Sequence, residues 1–108
     1  MSLYMSKRDL ILAVDIGTGA TKAVLFDASL KQVALVRRHY PIHVPNKGWS
    51  EQEPDAIYQA VLEAIRAALQ ARPPGYTVQG LSISAQLYSI LAVTADGKPL
   101  TNSIPWSD

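Results

Sequence analysis

The sequence predicts a sheet domain of the α/β or α+β class, with elements in the order β-β-β-α-β-β. Short runs of β-branched and aliphatic residues end in Gly, Asp or Pro, and one long segment carries apolar residues at helical spacing. At 108 residues the chain is one domain or a piece of one.

Leu10 to Ile16 is the first apolar run, ended by Gly17-Thr18-Gly19, and Thr21 to Phe26 is the second, ended by Asp27-Ala28-Ser29. Two such runs joined by a short glycine-rich turn read as a hairpin. Val33 to Tyr40 is a third strand, stopped by Pro41 and Pro45, which lack the amide that a ladder requires. Ile42 to Glu53, with Pro45, Asn46 and Gly48, reads as a loop, with Trp49 expected to anchor it by burial.

From Pro54 to Arg72, Ile57, Ala60, Val61, Ala64, Ile65, Ala68 and Leu69 form one helical face. Pro54 suits the first helical position and Asp55 the positive end of the dipole, while Ser50 with Glu53 offers a capping box one turn earlier. Both starts fit the sequence. Pro73-Pro74-Gly75 ends the helix. Val78 to Ile83 and Ser89 to Val93 are two further strand-like runs, Asp96-Gly97 marks a tight turn, and Ile104-Pro105-Trp106 begins another element.

Composition excludes several function classes. Ten basic against nine acidic residues give a net charge of +1, far from the basic surface that tracks nucleic-acid phosphates. With 48% apolar and 18% charged residues the chain is not disordered. Absence of cysteine removes disulfides and thiolate metal sites and fits a reducing compartment, so the cytoplasm is the expectation. Leu10 to Val14 is too short for a signal-peptide core, and neither a signal peptide nor a membrane span is expected. Residues 1–4 read as an expression leader before a native start at Met5.

The chemistry concentrates in Asp15-Ile16-Gly17-Thr18-Gly19-Ala20-Thr21-Lys22, where a strand delivers a carboxylate into a glycine-rich turn. Glycine admits close approach of phosphate oxygens to backbone amides and tolerates dihedrals that other residues resist. The Thr18 and Thr21 hydroxyls add donors and Lys22 adds charge. Asp15 would then hold hydrated Mg²⁺, the expected partner of a phosphate cradle in phosphoryl transfer. A Walker A loop is absent, since Lys22 is followed by Ala23 and lacks the preceding glycine. The dinucleotide fingerprint requires a helix next, whereas Val24-Leu25-Phe26-Asp27 reads as a strand. The spacing equally allows a plain hairpin in which Asp15 caps the turn.

The string from Leu12 to Asp27, LAVDIGTGATKAVLFD, resembles the first phosphate motif of the actin-like ATPase (ribonuclease H-like) superfamily. GWSEQEP at 48–54, GLSISAQLYSILAVTADGKPL at 80–100 and IPWSD at 104–108 resemble successive N-terminal blocks of FGGY carbohydrate kinases. The wording at 84–92 and 97–106 is most similar to the gluconate and xylulose kinase branches, with glycerol kinase further off.

The resemblance implies an actin-like ATPase domain, partial at 5–108, in a kinase that uses ATP and Mg²⁺ on a sugar or sugar acid. It implies that Asp15 is the metal-associated acid and that Gly17, Thr18, Gly19, Thr21 and Lys22 approach the ATP phosphates. Gly19 and Ala20 stand where the family often has Thr or Ser. Gln86, Leu87 and Tyr88 fall on a Gln-Met-His substrate patch, with Tyr88 in place of His, and Trp106 and Asp108 match a sugar-facing Trp-x-Asp-x-Arg block. Tyr58 and Trp49 are expected to pack. His39 and His43, separated by Pro41, carry no metal pattern.

Family members are several times longer, and their catalytic-base Asp, second phosphate motif and adenosine motif correspond to no residue here. No residue in the chain takes the catalytic role, so the 108 residues alone are expected to be inactive. A sheet cut short should expose an edge and a face, so self-association or pairing with the C-terminal remainder is expected. The alternative reading is a non-catalytic α/β module that binds itself or a protein partner.

Overall fold

The computed structural model describes residues 5–105. Four strands and one helix follow one another: β1 (Asp9–Ile16), β2 (Ala20–Asp27), β3 (Gln32–His39), α1 (Pro54–Gln70) and β4 (Thr77–Ala85). The strands form one mixed sheet in the order β3-β2-β1-β4. β1 to β3 make the expected antiparallel meander, and β4 lies parallel to β1. A parallel neighbour needs a long crossover, which α1 and its flanking loops supply.

Strand periodicity assigns the two faces. Leu10, Leu12 and Val14 of β1 and Thr21, Ala23 and Leu25 of β2 are buried on the helix side. Ala60, Ala64 and Ala68, four residues apart, press the helix onto β2 and β3, where small side chains permit close approach. Pro54 occupies the start of α1, and the Glu53 cap makes no side-chain cap bond, which decides between the two starts allowed by the sequence. At the other end the Ala71 amide donates back to Ala67 and Ala68.

The β2–β3 turn is held by one side chain. Asp27 accepts the Ser29 hydroxyl at 2.7 Å and the Ser29 and Lys31 amides at 2.9 Å each. These donors, the Ser29 hydroxyl foremost, hold its carboxyl below the usual carboxylate range. They also fix Leu30 in a left-handed conformation at φ 65°, which a residue other than glycine adopts only at a cost of about 1–2 kcal/mol.

Three expectations are corrected. Ser89 to Val93 is not a strand: Ile90 pairs in isolation with Ile104 and Val93 with Pro99, because this run folds back on its own downstream segment instead of joining the sheet. In consequence Ile90, Leu91 and Val93 stay exposed. Trp49 and Tyr58 do not pack, being 55% and 59% exposed, since the 41–49 loop runs over the surface and Tyr58 lies off the alanine face of α1.

Candidate functional site

The parity that buries Leu12 and Val14 turns Asp15 to the opposite, open face at the C-terminal end of β1. There the chain reverses tightly, the Gly17 amide donating to the Ala20 carbonyl at 2.9 Å. A Cβ on Gly17 would sit 3.0 Å from that carbonyl oxygen, a tight contact with backbone, so the turn favours glycine there. Gly19 differs: it is exposed, and a Cβ there would meet nothing within 4 Å, leaving open approach to the tip. Neither glycine has a positive φ. Closeness, not unusual dihedrals, therefore explains Gly17, and its amide closes the turn instead of facing outward as expected.

Two side chains from beyond the hairpin brace the turn. Tyr40, 7% exposed, donates its hydroxyl to the Gly17 carbonyl and its amide to the Gly19 carbonyl at 3.2 Å. Burial pushes the Tyr40 phenol above the usual tyrosine value, opposed by the Thr21 hydrogen bond and reinforced by the negative charge of Asp15. Gln52, fully buried, donates its side-chain amide to the Thr18 carbonyl. The Gln52 backbone is pinned in turn by reciprocal bonds with Ser103 at 2.8 and 2.7 Å.

Thr21 is a correction. Its side chain is 0% exposed and donates to the Tyr40 hydroxyl at 3.4 Å, so it supports the turn from beneath and presents no hydroxyl to a ligand. Its position in β2 explains this, since it shares the buried face with Ala23 and Leu25. Lys22, the next residue, faces the open side.

The turn separates two open clefts. One, of about 440 Å³, is lined by Asp15, Gly17 and Thr18 on one wall and by Ala85, Gln86, Leu87 and Tyr88 on the other. The second, of about 450 Å³, lies against Gly19, Ala20, Lys22, Arg37 and His39, again with Asp15 and Gly17. The structure thus brings the expected phosphate turn and the expected substrate patch to one cavity, and Asp15 borders both clefts. The patch follows directly from β4, with the Gln86 amide donating to the Ile16 carbonyl at 2.8 Å. Tyr88 has φ 58° and is 87% exposed, a left-handed kink that turns the chain away after the cleft. Trp106 and Asp108 lie outside the described residues.

Asp15 accepts the Ser84 hydroxyl at 2.9 Å across the β1–β4 pairing. Among the described residues no group of three or more His, Asp or Glu side chains forms a metal cage. A single accessible carboxylate suits Mg²⁺, which keeps most of its waters and takes its remaining ligands from substrate phosphates. His43 is engaged with Glu53 at 3.4 Å, and His39 borders the second cleft.

Sequence reasoning missed Gln52, Tyr40 and Arg37. Gln52 stood within the quoted GWSEQEP block, and Tyr40 at the end of the third strand, but nothing local connects either to the turn. Among the described residues no helix is long and apolar enough to cross a membrane.

The model of the FGGY family of carbohydrate kinases, N-terminal domain, matches residues 10–108. A glycerol kinase of Rhodospirillum centenum is 36% identical over 106 residues, covering 96% of this chain and 21% of the relative. A gluconokinase of Bacillus subtilis is 36% identical over 98 residues, covering 91% of this chain and 19% of the relative. The crystal structure of a gluconate kinase from Lactobacillus acidophilus superposes with a TM-score of 0.85 at 37% identity, covering 93% of this chain and 20% of that one. The chain therefore spans about a fifth of the length of the relatives it matches. Its mixed sheet has the actin-like ATPase fold of these kinases, and the chain belongs to the FGGY family of carbohydrate kinases, as an N-terminal domain.

Proposed function

We propose that this chain is the N-terminal part, residues 5–108, of an ATP-dependent kinase that transfers the γ-phosphoryl group of ATP to a hydroxyl of a sugar or sugar acid of the gluconate or xylulose type. The observation that carries this reading is the shared cleft, in which the Asp15 turn and the Gln86–Tyr88 patch face one another. A phosphoryl donor and a hydroxyl acceptor must meet within such a space, because the reaction depends chiefly on positioning and charge stabilisation.

In this reading Gly17, Thr18 and Gly19 form the edge against which the phosphates lie, and Lys22 offsets their charge. Thr21 acts indirectly through Tyr40. Asp15 holds the water shell of Mg²⁺, which when bound would neutralise charge on the transferred group. Gln86, with a donor and an acceptor, exchanges hydrogen bonds with polyol hydroxyls, while Leu87 and Tyr88 contribute an apolar wall. Trp106 and Asp108 are assigned to the sugar by the family resemblance alone. Absence of cysteine accords with work in the cytoplasm.

No group in the chain is assigned as catalytic base. Asp15 is committed to the metal, and the 108 residues alone do not turn over. Incubating the pure chain with Mg-ATP and gluconate, xylulose or glycerol is expected to release no sugar-dependent ADP, while Mg-ATP raises its melting temperature and Asp15→Asn abolishes that rise. Robust turnover lost on Asp15→Ala would overturn the assignment of incompetence. Absence of any Mg-ATP effect at millimolar ligand would overturn the phosphate site.

A further inference from the structure

Gln52, fully buried, touches both walls of the cleft. Its Nε2 donates to the Thr18 carbonyl in the turn, and its Oε1 accepts the Gln86 Nε2 at 3.1 Å. The wall residues are 34 positions away from it on either side, so this link is tertiary. Its backbone is clamped by Ser103, so a change at either partner is taken up by the side-chain amide and not by a shift of the main chain. The Gln86 Oε1 is itself buried without a hydrogen-bond partner, and Gln86 lines the cleft. With its acceptor unpaired, the Gln86 amide is oriented by its bond to Gln52.

We propose that Gln52 is a positioning residue that couples the two walls: through it, the state of Gln86 sets the position of Thr18 and the turn tip. This rests on the reading of the cleft as a joint phosphate and sugar site. An amide suits the task because it donates at one end and accepts at the other. In a buried setting each half-bond lost leaves an unpaired group, so the three residues keep a single hydrogen-bonded arrangement. A carboxylate of the same shape accepts from Gln86 but repels the Thr18 carbonyl, which separates relay from packing.

The test uses the full 108-residue chain labelled with nitrogen-15, following the Gly19 amide, which adjoins the Thr18 carbonyl, and the side-chain amide of Gln86. Gln86→Ala is expected to move the Gly19 resonance, and to move it no further when introduced beside Gln52→Met, which fills the same volume without an amide. Gln52→Glu is expected to move Gly19 while keeping the Gln86 amide hydrogen-bonded. Both Gln52 variants should weaken binding of the probes Mg-ATP and gluconate by about two- to tenfold, the worth of one lost hydrogen bond. An unmoved Gly19 in Gln86→Ala, or the same displacement with and without Gln52, overturns the coupling. Gln86 borders solvent, so its variant keeps this test valid if the Gln52 variants fail to fold. If Gly19 responds as expected but neither Mg-ATP, gluconate, xylulose nor glycerol shifts any resonance of the unsubstituted chain, the coupling stands and the kinase site falls.

Discussion

The two halves of the sheet carry the same apolar alternation and meet different fates. Under α1, Ala23 and Leu25 of β2 are 0% exposed, sealed by Ala64 and Ala68. On the same face of β4, Leu81 and Ile83 pair beside the buried Leu12 and Val14, yet remain 55% and 58% exposed. α1 lies over β2 and β3 and does not reach β4, whose outer edge also has no strand beside it among the described residues. Alternation prepares a face for burial. A covering element decides whether burial happens. The cleft sits at the seam between the halves, with its turn braced from the covered half by Tyr40 and its second wall built on the uncovered one.

Core truncation should break the comparison most visibly. Leu25→Ala is expected to lower unfolding free energy by about 2–5 kcal/mol, whereas Ile83→Ala changes it by no more than about 0.5 kcal/mol. Urea denaturation of both variants checks this, and equal losses would mean that β4 is covered in solution. Self-association is next. The chain is expected to form dimers or larger species by light scattering, and replacing Leu81 and Ile83 together by Lys should weaken them by at least about tenfold without loss of stability. A parent chain that is strictly monomeric refutes the exposed face as a contact surface.

Tyr40→Phe sharpens the role of the covered half. It removes the donor to the Gly17 carbonyl, so stability should fall by about 1 kcal/mol and Mg-ATP stabilisation should fall with it, both measured by thermal melts. An unchanged ligand response would confine Tyr40 to packing. The smallest expected effect is that of pH on the β2–β3 turn. The folded-state carboxyl of Asp27 is lowered, chiefly by the Ser29 hydroxyl, so its contribution is present above the unfolded value of about 3.8 and is lost as pH falls through the lower folded value. Stability measured between pH 6 and roughly pH 3 should decline less steeply for Asp27→Asn than for the parent chain. Parallel curves would remove Asp27 from the acid response.

Much of the site was legible because it is local. Alternation in Leu10 to Ile16 puts Asp15 on the face opposite Leu12 and Val14, and a turn of Gly17-Thr18-Gly19 after such a run is written in the residue types. Helix spacing from Ile57 to Leu69 and the breakers Pro73-Pro74-Gly75 likewise act within a few residues of themselves. Three matters were decided elsewhere. Strand parity turns Thr21 inward, but that its hydroxyl meets Tyr40, 19 residues on, is set by the tertiary structure. Ser89 to Val93 failed as a strand because Ile104 and Pro99 gave its backbone partners outside the sheet. Gln52 reached Thr18 and Gln86 only because the crossover carrying α1 returned the chain beside β1. Periodicity and turn chemistry are short-range and so belong to the sequence alone. Which donor meets which acceptor, and which apolar face is covered, are settled by long-range closure of the chain, and only the tertiary structure holds that information.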